Sequence, residues 1–233
     1  MNDADCMEKL AKAGTRNRAT TIQEICKDLN IPYQTATFGT SVPYTHLMTN
    51  IYLLGEGDLW LMAHHDVMLP DSHNANDNTA SVVNAIRCKQ RLPWLNVAFT
   101  DGEESPFLGT GSRAFASVYT QAHVINLELT GAGGGKSLAV DRGESPLAQF
   151  FSARVPQLIA PFSDACVLQQ CGIDSTCIFT CTDGYSFNID LLRRSHTMSD
   201  NLDSISIHDM EDFRERLIEI IEEMKGGIDV ANI

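Results

Sequence analysis

Positive charge is scarce in this sequence. Seventeen lysines and arginines stand against 30 aspartates and glutamates, for a net charge of -13. This argues against a nucleic-acid partner, because a phosphate backbone needs a basic surface. Long apolar runs are missing as well. No stretch approaches the roughly 18 residues of a membrane span, and the N-terminal MNDADCMEKLAKAGTRNR has no apolar core of the kind a secretory signal carries. A membrane role is not expected, and the cytoplasm is the expected compartment. Cysteine-pair motifs are lacking too. Seven cysteines form an odd set, and the spacings within the Cys166–Cys181 group match no zinc ribbon. They read as buried or idle thiols of a reducing compartment, with room for at most one disulfide. There is no internal repeat and no low-complexity tract.

What is present is a chain of 233 residues, 43% apolar, enough for one α/β domain with a real core. The first 30 residues read as helix, with Ile22, Ile25, Cys26 and Leu29 at helical spacing and Asn30 and Pro32 as the stop. Strand candidates follow in TATFG, NIYLLG, DLWLMAHHD, LNVAFT, VINLEL and DSTCIFT. Helix resumes from about Thr79. It appears again near the C-terminus, where Met210, Phe213, Leu217, Ile220, Ile221 and Met224 recur before Gly226-Gly227. The alternation predicts a three-layer α/β fold, a mostly parallel (mixed) sheet with helices on both faces. In such sheets function gathers at the carboxyl ends of the strands. His64, Glu103 and Glu128 all fall there.

Several side chains carry two readings. Alternation along DLWLMAHHD puts Trp60, Met62, His64 and Asp66 on one face and His65 on the other. His64 with Asp66 is either a polar strand end or a metal ligand with the acid that orients it. Asp77, in NDNTASV, is a helix N-cap or a carboxylate that bridges two cations. Glu103 and Glu104 form a solvated acidic loop, or one binds metal while the other moves a proton. Glu128 between Leu127 and Leu129 reads as functional, because an idle buried carboxylate is costly. His196 on its own, like His73, His123 and His208, reads as surface. GAGGGKS (131–137) is no phosphate loop, since Thr130 stands where the pattern needs glycine.

The order of these pieces is more specific than any one of them. An HxD, then a D-N-x-A-S string opening a helix, then Glu-Glu after a strand, then an acid in N-L-x-x-x-G, then HTMSDNLDSIS, together resemble the M28 family of zinc aminopeptidases, from about Asn50 to Asp203. The wider clan includes M20 and M42 peptidases and animal-type glutaminyl cyclases. FSDACVLQQCGIDSTCI (162–178) is similar to the family's S-D-H-x-x-F-x-x-x-G-I-P segment. The resemblance implies one catalytic domain over residues 1–233, with no inserted dimerisation or lid domain. It implies two Zn²⁺ or other divalent ions, held by His64, Asp77, Glu104, Glu128 and His196, with Asp77 as the bridge. It further implies Glu103 as general base and then acid, Asp66 as the orienter of His64, and Tyr185 as a candidate oxyanion donor. The substrate would be a peptide or small amide. The alternatives are cleavage of another amide bond, glutaminyl cyclisation at a single zinc, or a metal-bearing binding protein without turnover. The chain departs from the family at Glu128, usually Asp in the aminopeptidases, at Ala165, often His, and at Asp174, usually Pro. Oligomeric state is left open.

Overall fold

The computed structural model describes residues 1–39, 47–69, 71–104, 106, 108–131, 137–160, 162–181 and 193–227. Helix α1 (Asp3–Ala11) opens on a reciprocal cap. The Asn2 side chain accepts from the Asp5 N–H, and the Asp5 carboxylate accepts from the Asn2 N–H. Helix α2 spans Gly14–Asp28. The single N-terminal helix expected from spacing is thus two helices. The chain turns at Lys12–Ala13, and Gly14 adopts a positive φ of 59° that suits glycine best.

Eight strands make one sheet: β1 (Gln34–Gly39), β2 (Leu47–Leu53), β3 (Leu59–His64), β4 (Asn96–Thr100), β5 (His123–Glu128), β6 (Leu138–Asp141), β7 (Gln157–Leu158) and β8 (Asp174–Thr180). Their order is β1-β2-β4-β3-β5-β8-β6-β7. The centre, β4-β3-β5-β8, is parallel, while β1, β2 and β6 attach antiparallel and β7 runs parallel to β6. The three innermost strand candidates are buried along their whole length or nearly so, as strands covered on both faces must be.

Helices α3 (Ala80–Arg91), α4 (Thr110–Ala116), α5 (Pro146–Ser152), α6 (Asp164–Gln170) and α7 (Ile207–Gly227) complete the layers. Leu61, Ala63, Val97, Phe99, Ile125 and Leu127 point to one face, where they meet α1, α2, α3, α5 and α7. Trp60, Met62, Ala98 and Val124 point to the other, against Phe115 of α4 and Leu168 of α6. The alternation expected along β3 is therefore present. The apolar stripe of α7 is buried as its spacing implied, from Met210 to Met224. Helices α4 to α6 and strands β6 and β7 were not foreseen. Each is at most seven residues long, too short to show a period.

None of the seven cysteines forms a disulfide with another described residue, and five of them are buried. Among the described residues no helix is long and apolar enough to cross a membrane.

Candidate metal centre

Parallel register brings the site together. His64 at the end of β3 lies beside Thr100 at the end of β4, and β5 runs along the other side of β3. The loop after β4 therefore delivers Glu103 and Glu104 to the same edge at which β5 delivers Glu128. Asp77 enters on a wide turn, Ala75–Thr79, just before α3, where the Thr79 N–H reaches back to the Asn74 carbonyl. The Asp77–Asn78 peptide is cis. His196 arrives last along the chain, with a positive φ of 58°.

The five expected ligands form two groups that share Asp77. His64 Nε2 lies 3.2 Å from Asp77 Oδ1 and 3.3 Å from Glu128 Oε1. His196 Nε2 lies 3.3 Å from Asp77 Oδ2 and 3.0 Å from Glu104 Oε2. The two oxygens of one carboxylate thus face two separate imidazoles. The Asp77 side chain caps no helix. His64 is only 1% exposed, whereas the His196 side chain is 48% exposed, so the site opens to solvent on the His196 side.

Asp66 lies past the end of β3. Its carboxylate accepts from the Glu103 N–H at 3.2 Å and the Glu104 N–H at 2.9 Å. Its distance to His64 Nδ1 is 3.5 Å, an ion-pair separation that leaves Nδ1 without a hydrogen-bond partner among the described residues. The stronger grip of Asp66 is on the backbone of the two glutamates. His65 turns away from the site and places Nε2 2.8 Å from the Thr49 carbonyl. His73 is exposed and accepts from the Leu202 N–H. Tyr185 lies outside the described residues, as do positions 132–136 of the glycine-rich segment.

Two further carboxylates belong to the surroundings. Asp200, four residues after His196, is 1% exposed and accepts from the Asn76 and Asp77 N–H groups at 2.8 and 3.0 Å. Asp164, also 1% exposed, accepts from Thr100 Oγ1 and Ser112 Oγ at 2.5 and 2.6 Å. Both sit in segments that carried the family resemblance, HTMSDNLDSIS and FSDACVLQQ. Neither stood out, because a single aspartate after a serine has no periodicity to mark it. The family departure at Asp174 is remote from this edge. It begins β8 at the amino end of the sheet, where it pairs with His123 Nδ1 at 2.7 Å.

Crowding of like charge shapes the ionisation of the group. Burial pushes Glu103 up to about 10, helped by Glu128, Asp164 and Glu104. Burial likewise pushes Glu104 and Glu128 up to about 7 and Asp200 to about 6. Asp77 moves the other way. Burial would raise it, yet its bonds with His196 and His64 hold it well below the usual carboxylate range. Burial would lower His64, but the charge of Glu128 and the nearby carboxylates of Asp66, Asp77 and Glu128 raise it well above its ordinary value. The bond to Asp77 raises His196 to about 9.

The donor set suits divalent cations. One atom each from His64, Asp77 and Glu104 falls within 4.8 Å of the others. Glu128 Oε2 is buried with no hydrogen-bond partner among the described residues, although a buried carboxylate oxygen needs one. Imidazoles and carboxylates in this mixture are zinc ligands, and the surplus negative charge is what cations relieve.

The model of peptidase family M28 matches residues 54–221. No curated protein sequence matches the chain. Among solved structures, the LapA aminopeptidase of Legionella pneumophila is similar at a TM-score of 0.72 and 12% identity, covering 98% of this chain and 72% of its own. A glutaminyl cyclase of Porphyromonas gingivalis is similar at a TM-score of 0.73 and 16% identity, covering 95% of this chain and 97% of its own. A zinc aminopeptidase of Bacillus subtilis, BSAP, is similar at a TM-score of 0.63 and 17% identity, covering 82% of this chain and 53% of its own.

Proposed function

The chain belongs to peptidase family M28, whose model matches residues 54–221, and we propose that it is a zinc-dependent exopeptidase that hydrolyses the N-terminal peptide bond of peptides. The observation that carries this reading is the Asp77 carboxylate, with one oxygen facing His64 and Glu128 and the other facing His196 and Glu104. That is the arrangement of a carboxylate shared by two cation sites. His64, Asp77 and Glu128 would hold one Zn²⁺, and Asp77, Glu104 and His196 the other.

Bound zinc supplies Lewis acidity, which polarises a carbonyl and lowers the pKa of a water. The chain's own residues do the rest. Glu103 adjoins the ligand set without being needed as a ligand, and burial with its neighbours' charge gives it a raised affinity for a proton. Cationic charge delivered to Glu104 and Glu128 opposes that rise and brings Glu103 toward the operating pH. It can then take a proton from water and return it to the leaving amine. Asp66 fixes the backbone at Glu103 and Glu104, so that the base and the ligand next to it keep separate directions. Asp200 holds the Asp77 turn from the side of the His196 loop.

A panel of aminoacyl-amide substrates with added Zn²⁺ tests the reading, with hydrolysis at the free amino end as the expected result. Glutaminyl cyclisation is the second reading, favoured by the match that covers 97% of a glutaminyl cyclase chain. It needs one zinc, for which Asp77, Glu104 and His196 suffice. Metal content separates the two, at two ions per chain against one. A metal-bearing binding protein without turnover has no use for Glu103 beside the ligands. Absence of turnover on both amide and glutaminyl substrates, at full metal content, would establish it.

A further inference from the structure

We propose that Arg18 is a positioning residue of the metal centre, whose guanidinium fixes the spacing between the His64–Asp66 segment and the turn that carries Asp77. The inference rests on the metal-centre reading above and goes beyond it, because Arg18 lies in α2, outside the residues that the family model matches.

Arg18 is 1% exposed. Among the described residues no carboxylate lies within ion-pair distance of it, and its bonds go to neutral oxygens. Nε donates to the His65 carbonyl at 2.5 Å, Nη2 to Thr79 Oγ1 at 2.8 Å, and Nη1 to the Leu10 carbonyl at 3.3 Å. His65 stands between His64 and Asp66, and Thr79 stands two residues after Asp77. A single rigid fork therefore spans the two segments that bring one imidazole and the shared carboxylate together. The Thr79 hydroxyl extends the tie, donating at 2.6 Å to the Asn74 carbonyl at the start of the turn.

Burying a guanidinium among neutral partners is unfavourable. An apolar side chain would fill the same space between α2 and the sheet without that penalty. Nor does the charge itself favour a nearby cation. Its burial pushes the Arg18 pKa down to about 10, with only partial compensation from Asp66, Asp200 and Asp77. What an arginine supplies that neither an apolar residue nor lysine can is donors in a fixed plane, aimed at separate acceptors at once. With Asp200 bonded to the Asn76 and Asp77 N–H groups, the turn is held from two directions. Ligands preorganised in this way bind metal without first paying to be ordered.

The experiment measures Zn²⁺ affinity by chelator competition, and the melting temperature of the metal-free protein, for the full chain and its variants. Arg18→Lys keeps the charge and loses the fork. Thr79→Val keeps the charge and loses both the acceptor for Nη2 and the donor to the Asn74 carbonyl, and Thr79→Ser keeps both. Arg18→Lys and Thr79→Val are expected to weaken Zn²⁺ binding by about 10-fold or more, the scale for groups that orient metal ligands. Thr79→Ser is expected to bind as the wild type does. The double variant Arg18→Lys/Thr79→Val should bind no more weakly than the weaker single, because either change breaks the one link between the His65 carbonyl and the Asp77 turn. Wild-type affinity in Arg18→Lys, or additive losses in the double variant, overturns the proposal. So does a lower melting temperature of the metal-free protein with unchanged affinity, which marks a merely structural role. If Arg18→Lys does not fold, equal affinities of Thr79→Val and Thr79→Ser overturn it. A wild-type protein that binds no Zn²⁺ overturns the metal-centre reading and this one together, whereas binding that ignores Arg18 and Thr79 overturns this one alone.

Discussion

Glu103 and Glu104 are adjacent in sequence, yet only Glu104 reaches His196. Their substitution by glutamine should therefore separate proton transfer from metal binding. Glu103→Gln keeps shape and hydrogen bonding but takes no proton. It should retain Zn²⁺ by elemental analysis and lose roughly 10²–10⁴-fold in turnover, the usual contribution of general acid–base catalysis. Glu104→Gln should instead bind Zn²⁺ more weakly, with activity partly restored by excess metal. Asp77→Ala removes the shared carboxylate and should lose most of both ions. His65→Ala should keep them, since that imidazole bonds to the Thr49 carbonyl on the other side of the strand. Full metal content in the Asp77 variant would refute the shared-carboxylate arrangement. At this scale the sequence was informative for one reason. His64 and Glu128 end strands, Asp77 precedes a helix, and Glu103 and Glu104 follow β4; each alone had a plain structural reading, and it was their order along the chain that carried the family resemblance. Asp164, Asp200 and Arg18 could not be located in that way. Their roles are set by partners 52, 123 and 61 positions distant in the chain.

Helices α1, α3 and α7 meet through Asp3. Its carboxylate takes Arg87 Nε at 2.6 Å and Arg214 Nη1 at 2.7 Å, and Arg214 also reaches Asn84 Oδ1 at 3.3 Å. Burial would raise the Asp3 carboxyl, but bonds and charge from Arg214 and Arg87 bring it below its ordinary 3.8. A folded pKa below the unfolded one means that the unfolded chain binds the proton first as pH falls. The stabilisation is therefore complete well above pH 3.8 and is lost as pH falls through the lower folded value. Asp3→Asn, which leaves two arginines without their acid, should cost about 3 kcal/mol near neutral pH. Urea melts across pH should show the gap to wild type closing below about pH 4, as the native Asp3 itself becomes neutral. A gap that stays constant across that range would show that packing, not charge, holds α1. The α7 stripe tests packing directly. Phe213 is fully buried, and Phe213→Ala should lose about 3–5 kcal/mol in the same measurement. Element type followed from sequence wherever a period ran long enough, as in α7 and the central strands. It failed for α4, α5 and α6, whose few turns hold too little pattern, and for the break before Gly14, which a conformation rather than a composition produces.

At the scale of the whole molecule, the metal-centre reading predicts that metal binding and folding are coupled. The proposed ligands come from β3, the turn before α3, the loop after β4, the end of β5 and the segment after β8, so a bound zinc would tie together chain positions 64 to 196. A ligand that binds only the folded state stabilises it by mass action, by about 2.7 kcal/mol at 100 times the dissociation constant. A chelator should lower the melting temperature, Zn²⁺ should restore it, and the Asp77→Ala variant should show neither response. Two ions per chain at saturation would support the exopeptidase reading, and one ion the cyclase reading.

From the sequence by itself came the layered α/β class, the sheet edge at which the candidate residues gather, and the ordered motifs that carry the family resemblance. These are properties of local pattern and composition, which read the same in an unfolded chain. Only the tertiary structure decided that the Asp77 oxygens face two different imidazoles, and that Asp66 grips the backbone of Glu103 and Glu104 more firmly than it grips His64. It also decided that a buried arginine from the second helix spans the segments on either side of the site. These are distances between residues far apart in the chain. They are set by the parallel register of β4, β3 and β5 and by the packing of α2 on the same sheet, and no local pattern encodes a distance of that kind.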